Sequence, residues 1–328
     1  AFAGFLPTIS FEMTQTDTQQ KIISSKNTVY SSGSSRYPTE NRTVTISQPI
    51  FKLSSWRGYE QAKAKVRQAS SLFGAAQQDL ALRTATAYLN VLAASDNLTF
   101  TRAERDAIKR QLDLVQQRYA SGLVAIASLH DAKARHAMKE ADVIAAENEL
   151  EDMQQALRSL TGKRVAGLRP VRDAIALEIP EPADIDKWVE SAMNQNVSLE
   201  ARRQAVEVAQ QEAEKQRSAH VPVVDLVATN NRKNTHGSLF GGGSDVETTD
   251  VMLRLSVPIY SGGLTSALTG EAVKRHQSAL EDLDRDGRQV ERQARAAYLG
   301  VIGGVARIQA LAQSVVSQES ARRLKAEG

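Results

Sequence analysis

Cysteine is absent from the 328 residues. That excludes a thiolate nucleophile, a cysteine-ligated metal and a disulfide framework, and it leaves the redox compartment open. Aromatic residues make up only 5% of the chain. Heavy use of Ala, Gln, Arg, Glu and Leu takes their place, which is the composition of long helices and disfavours a compact α/β enzyme. Neither charge sign is in excess, with 41 Lys and Arg against 38 Asp and Glu for a net +3. The electrostatic footprint of a nucleic-acid binder is therefore missing, and no nucleic-acid partner is expected. No run of 18 consecutive apolar residues occurs, which excludes a transmembrane helix by that criterion. It does not exclude a transmembrane β-barrel, whose strands alternate and give a weak hydropathy signal. The first residue is Ala1 and the last, Gly328, lies inside a helical pattern. Both ends read as those of a processed or truncated chain.

Against this background the sequence shows alternation at residues 5–14. Ile9, Phe11 and Met13 fall on one side; Thr8, Ser10, Glu12 and Thr14 fall on the other. This is the period of a strand. Residues 15–41 are Ser, Thr, Asn and Gln rich and read as a long polar loop, after which Thr43 to Ser47 alternate again. No proline lies between Pro49 and Pro170. Over that span apolar residues recur in steps of three, four and seven, through Leu80, Ala87, Val91, Ala94, Leu98, Ile108, Leu112, Val115 and Tyr119. A helix from Ser54 to Ala120 would be about 100 Å long. It needs other helices to lie against. Ala120-Ser121-Gly122 breaks it, and a second run sets Val143, Leu150, Leu157 and Ala146, Met153, Leu160 on the two positions of a heptad seam. The short break predicts an antiparallel helical hairpin with its tip at 121–129. Residues 163–183 hold Pro170, Pro180, Pro182 and an apolar patch at Ile175-Ala176-Leu177. Two shorter helices then follow.

The chain repeats itself. Phe5-Leu6-Pro7 corresponds to His220-Val221-Pro222, Ser47-Gln48-Pro49-Ile50-Phe51 to Ser256-Val257-Pro258-Ile259-Tyr260, and Ala87-Tyr88-Leu89 to Ala297-Tyr298-Leu299, at offsets of 215, 209 and 210. A period this long excludes a solenoid of short repeats. Each copy reads strand, polar loop, strand, very long helix. The resulting division is a first β-hairpin at 1–52, a long helical hairpin at 53–162 and an irregular segment with a short strand and helix at 163–197. A helix at 198–220, a second β-hairpin at 221–260 and a truncated second long helix at 261–328 complete it. By the same offset the partner of Gly122 falls beyond residue 328, so a further tip and helix are expected outside this sequence, as is a helix ahead of Pro7.

Four strands cannot close a barrel alone, and open edges call for partners. Glu12 and Arg254 share parity with polar neighbours, as expected of residues facing a water-filled lumen behind an apolar outer face. Asp225 shares parity with Val223 and Val227 and does not fit that pattern. Ten of the sixteen aromatics lie in or beside the strands, either as interfacial girdles or through ordinary strand propensity.

No catalytic, metal or cofactor site is expected. The five histidines lack the spacing of a helical metal pair. Gly241-Gly242-Gly243-Ser244 and Thr161-Gly162-Lys163 lack the rest of a phosphate loop. Carboxylates such as Glu147/Glu149 and Glu151/Asp152 read as a solvated helix face, and no nucleophile elbow occurs.

The duplicated strand pairs at Pro7 and Pro222, the helix starts at Gln48-Pro49-Ile50-Phe51 and Val257-Pro258-Ile259-Tyr260-Ser261-Gly262-Gly263, and the segment from Arg118 through Gly122-Leu123-Val124-Ala125-Ile126 resemble the TolC family of trimeric outer-membrane channels. The resemblance implies a fold in which long antiparallel helical hairpins form a trimeric α-barrel and four strands per protomer build a twelve-stranded barrel. It implies a homotrimer in contact with outer-membrane lipid, extending into the periplasm. Its partners would be a periplasmic adaptor and an energised inner-membrane transporter, with adaptor docking at Gly122, Leu123, Val124, Ala125, Ile126 and Ser128. The family often carries Thr-Asp after the tip isoleucine, where this chain has Ala127-Ser128. The expected activity is a passive exit path, for type I protein secretion ahead of drug efflux. The alternative is a soluble coiled-coil scaffold with β-hairpin caps.

Overall fold

The computed structural model describes residues 2–24, 33–163, 167–171, 177–237 and 242–327. Tyr30 and Phe240 among the strand aromatics, Ile175 and Ala176 of the apolar patch, and Gly241 lie outside them. The element order is β1 (Thr8–Ile22), β2 (Gly33–Phe51), α1 (Leu53–Ala120), α2 (Ile126–Thr161), α3 (Ile185–Gln195), α4 (Val197–Arg217), β3 (Val223–Thr235), β4 (Ser244–Ser256) and α5 (Leu264–Glu327). Strand, strand, long helix thus occurs twice. β1 and β3 both start one residue after a proline, and α1 and α5 start 211 positions apart.

The chain divides into two units, one of residues 1–71 with 185–297 and one of 72–184 with 298–328. In the first unit the four strands form one antiparallel sheet in the order β1-β2-β3-β4. β1 and β2 extend well past the expected strands and take in most of the segment expected as a loop. Thr8 pairs with Ser47 and the ladder continues to Ile22 and Gly33. The missing apolar alternation there has a physical reason: both faces are wet. One face carries Thr14, Thr16, Thr18 and Gln20. The other carries Asp17 bound to Arg36, Glu40 beside Arg42, and Arg232 bound to Asp245. Prolines sit in β2 only where a neighbouring strand is ending. Pro38 lies just past Thr39, opposite the last residue of β3, and Pro49 just past Ser47, opposite the first residue of β1. There a missing N–H costs no ladder bond.

Around the foot of the sheet, Phe5 packs edge-on against Trp56 and Tyr59 with ring centroids 6.1 Å apart, and Phe2 joins Tyr59 at 6.4 Å. Ala64 of α1 and Ala201 and Ala213 of α4 are buried, and the two helices meet through a polar junction. The side-chain amide of buried Gln61 donates to Glu212 Oε2 at 2.8 Å, and Gln216 donates to Oε1 at 2.6 Å. Burial raises the Glu212 pKa, but donors from Gln216, Lys215 and Gln61 together outweigh it and hold the carboxyl below its ordinary 4.5. α5 is joined to α4 and α3 by Arg202 to Asp286 at 2.6 Å and Arg295 to Asp186 at 2.9 Å.

In the second unit the expected heptad seam is present. Val143, Ala146 and Leu157 of α2 are buried, and Leu98 of α1 packs with Val143, Ala146 and the partly buried Leu150. Arg102 to Glu147 at 2.7 Å and Lys139 to Glu104 at 3.1 Å flank it.

One expectation needs correction. Within Leu264–Leu324, α5 holds an 18-residue stretch that is apolar enough to cross a membrane by length and composition. Counting consecutive apolar residues overlooks it because Gly, Ser, Gln and a single Arg interrupt a run of Ala, Val, Ile and Leu near 299–316. The same small, apolar composition suits a close helix–helix seam, and length and composition alone do not place α5 in a bilayer.

Candidate functional site

Register sorts the strand residues into two faces. Thr8, Ser10 and Glu12 pair with Ser47, Thr45 and Thr43, and these with Val227, Thr229 and Asn231. The same rows reach Met252, Asp250 and Thr248 on β4, and Arg254 lies one step further along that face opposite Asp225. Glu12 and Arg254 therefore share a face but stand on opposite edge strands. This face is the concave one: along β2 its residues 35, 37, 39, 41, 43, 45 and 47 are half-buried, whereas the even positions 34, 36, 38, 42, 44 and 46 are exposed. The convex face carries Ile9, Phe11, Met13, Val44, Ile46, Leu226, Val251, Leu253 and Leu255, all exposed. Apolar side chains turned outward and hydroxyls turned into the hollow invert the polarity of a soluble protein.

Asp225, which sequence parity left unplaced, is the backbone neighbour of Arg254. Between Val223 and Val227 on its own strand it has only apolar same-face neighbours, and Arg254, the opposite charge, stands directly across the ladder, so only the pairing, not its own strand, could have shown this. The Arg254 guanidinium reaches Met252 Sδ at 3.9 Å.

The hairpin tip is built by chain reversal between α1 and α2. Leu123 N donates to Arg118 O at 2.8 Å and Gly122 N to Tyr119 O at 2.9 Å, with Gly122 at φ +73°. This is the left-handed helix stop with its two overlapping bonds. A Cβ on Gly122 would meet nothing within 4 Å, so glycine is needed there for its φ and not for space. α2 then starts from Ala125, which is extended at φ −72°, ψ 152° and gives no side-chain cap. Leu123 is 73% exposed and Ile126 54%, Ala125 and Ser128 are exposed, and Val124 is half-buried. The tip thus brings Gly122, Leu123, Val124, Ala125, Ile126 and Ser128 into one small apolar end. Among the described residues no group of three or more His, Asp or Glu is placed to hold a metal.

A family described as Outer membrane efflux protein matches residues 1–163 and 188–327. The chain is 35% identical over 280 residues to Outer membrane protein TolC of Vibrio cholerae serotype O1, covering 85% of this chain and 64% of that relative's length. It is 28% identical over 324 residues to Proteases secretion protein PrtF of Dickeya chrysanthemi, covering 98% of this chain and 70% of that one. The structure superposes on the Campylobacter jejuni CmeC outer membrane channel with a TM-score of 0.81 at 15% identity, over 98% of this chain and 68% of that chain.

Proposed function

Because this chain belongs to the outer membrane efflux protein family, and with it to the bacterial outer membrane, we propose that it lines a passive exit channel as one third of a homotrimer. Family membership removes the soluble-scaffold alternative. The observation that carries the proposal is the four-stranded sheet, polar in its hollow, apolar outside and open at both edges. Three copies supply twelve strands and abolish the edges. Lipid then covers Ile9, Phe11, Leu253 and their neighbours, while Glu12 and Arg254 face the water of the lumen. The surface area agrees with this need for partners. One chain exposes 23479 Å², against roughly 13,000 Å² for a compact monomer of its mass.

The long helices continue the path into the periplasm, and the exposed tip from Gly122 to Ser128 docks a periplasmic adaptor that connects to an energised inner-membrane transporter. No chemistry is carried out on the cargo: transport needs a path, and direction comes from the energised partner. Of the two export routes, we favour type I protein secretion over drug efflux. Its support is the relative named for protease secretion, which aligns along 98% of this chain.

The test is made on the full-length protein. Mass measurement in detergent should give a trimer, and planar bilayers should show conducting pores. A monomer with an intact β signal, or no conductance under conditions that open related channels, overturns the conduit. Restoration of protein export, without drug resistance, in a strain lacking its own channel separates the two routes.

A further inference from the structure

β1 and β4 each leave one side of the backbone unpaired, over 15 and 13 residues. The proposed trimer closes these edges with further copies, and the register of the seam between copies rests on that reading. Trimerisation alone does not say which residue of β4 meets which residue of the next copy's β1. Chirality, register and strand tilt narrow it to two offsets, and charge decides between them.

Chirality gives the order of the strands. In an ascending strand of L-residues, a side chain pointing at the viewer belongs to a residue whose N–H and C=O point right. Pro38 lies on the convex face of β2, which descends when β1 ascends, so its carbonyl points left. His236, which follows the last residue of β3, donates its N–H to that carbonyl at 3.0 Å. β3 therefore lies left of β2. From outside, the order is β4, β3, β2, β1 from left to right, and the next copy's β1 stands left of β4.

Tilt gives the offset. A right-handed twist makes barrel strands lean to the right as they rise, so a line perpendicular to them climbs as it runs left. With strands about 4.8 Å apart, a rise of about 3.4 Å per residue and a tilt of about 35–45°, crossing four strands climbs about four to six residues. An odd offset would turn the polar face outward, which leaves four or six. Arg254 pairs with Asp225 and Asp225 with Pro49, which is level with position 6 of the same chain's β1. Position 6 becomes residue 10 of the next copy at an offset of four and residue 12 at six.

Charge decides between them. Glu12 is the single charged residue on the concave face of β1, and Arg254 is the single cation on the concave face of β4. We propose that the offset is six and that Arg254 of each protomer pairs across the seam with Glu12 of the neighbouring copy, with its own Asp225 on its other side. The same orientation puts the pair in the non-hydrogen-bonded class, in which side chains stand closest. Asp250 would then face Thr16 of the neighbour, so no like charges meet. The seam pair selects a second copy of this chain as the edge partner and fixes its register.

These 328 residues hold no cysteine, so cysteines placed in β1 and β4 meet no native thiol within them. In the full-length protein in its membrane, the double variant Glu12→Cys/Arg254→Cys should convert on oxidation to a reducible, trimer-sized species in denaturing gels, whereas each single variant should not. Thr14→Cys/Met252→Cys and Ser10→Cys/Ser256→Cys report the same offset with the ion pair intact, so they keep the test decisive if the charged positions do not tolerate change. Glu12→Lys should lower the temperature at which the unlinked trimer dissociates in detergent by more than Glu12→Gln does. Cross-linking of Ser10→Cys/Arg254→Cys in preference to Glu12→Cys/Arg254→Cys would set the offset at four and overturn the pair while leaving the closed barrel intact. If no β1/β4 pair cross-linked and the mass in detergent were that of a monomer, the channel reading itself would fall.

Discussion

Gly122 and Leu123 are adjacent, yet they answer to different requirements. Gly122 stands at φ +73° with open space where a Cβ would go, so Gly122→Ala should cost about 1 kcal/mol in the stability of the helical hairpin, all of it from the backbone. Chemical denaturation measures it. Leu123 is 73% exposed, so Leu123→Asp removes little buried contact and should leave the denaturation midpoint within about 0.5 kcal/mol of the parent. If the tip docks an adaptor, the same change should reduce adaptor capture and export. Unchanged export with folded protein would remove the tip from the docking surface. The stop at Gly122 was legible in the sequence because a glycine closing a long helical period has one common use. Asp225 was not, because its meaning lies in Arg254, 29 positions away on the paired strand.

At the scale of elements, legibility followed burial. The α2 seam could be read because Val143, Ala146 and Leu157 repeat at heptad spacing and are buried. Leu98→Ala opens that contact and should destabilise the hairpin by about 2–3 kcal/mol, read from denaturation of the full chain. The distal halves of β1 and β2 could not be read, since pattern reading looks for one apolar face and there neither face has one. Their ladders are held by backbone bonds and cross-strand charges, which leave only polar composition in the sequence. The α1–α4 contact was also hidden, because its centre is Gln61 with Glu212 rather than an apolar stripe. The Glu212 carboxyl is held below its ordinary 4.5 by donors that outweigh its burial. A depressed value in the folded state contributes stability above the unfolded pKa, and that contribution disappears as pH falls through the folded one. The native protein should therefore lose stability below about pH 4.5, and Glu212→Gln should flatten that part of the profile. At neutral pH the same variant should cost about 1–3 kcal/mol, because buried Gln61 would lose a charged acceptor.

For the molecule as a whole, the polarity of the sheet predicts how the pore treats ions. The hollow face is lined mainly by Thr, Ser and Asn, which wet a path without choosing a charge. Sign therefore depends on the few ionised groups there, with Glu12, Asp225 and Asp250 against Arg254 and Lys233 in each protomer. Threefold repetition multiplies any change at one position, so a single substitution alters three charges around the same ring. Glu12→Ala should shift the reversal potential in a salt gradient toward anions, and Arg254→Ala should shift it toward cations. Both trimers should still assemble, since backbone ladders and lipid-facing side chains supply most of the closure. If Glu12 and Arg254 neutralise each other across the seam, either single variant leaves an uncompensated charge of the other sign. The double variant Glu12→Ala/Arg254→Ala should then return close to the parent selectivity. Reversal potentials from the parent and the three variants decide the matter: no shift in either single variant would place both residues away from the ion path.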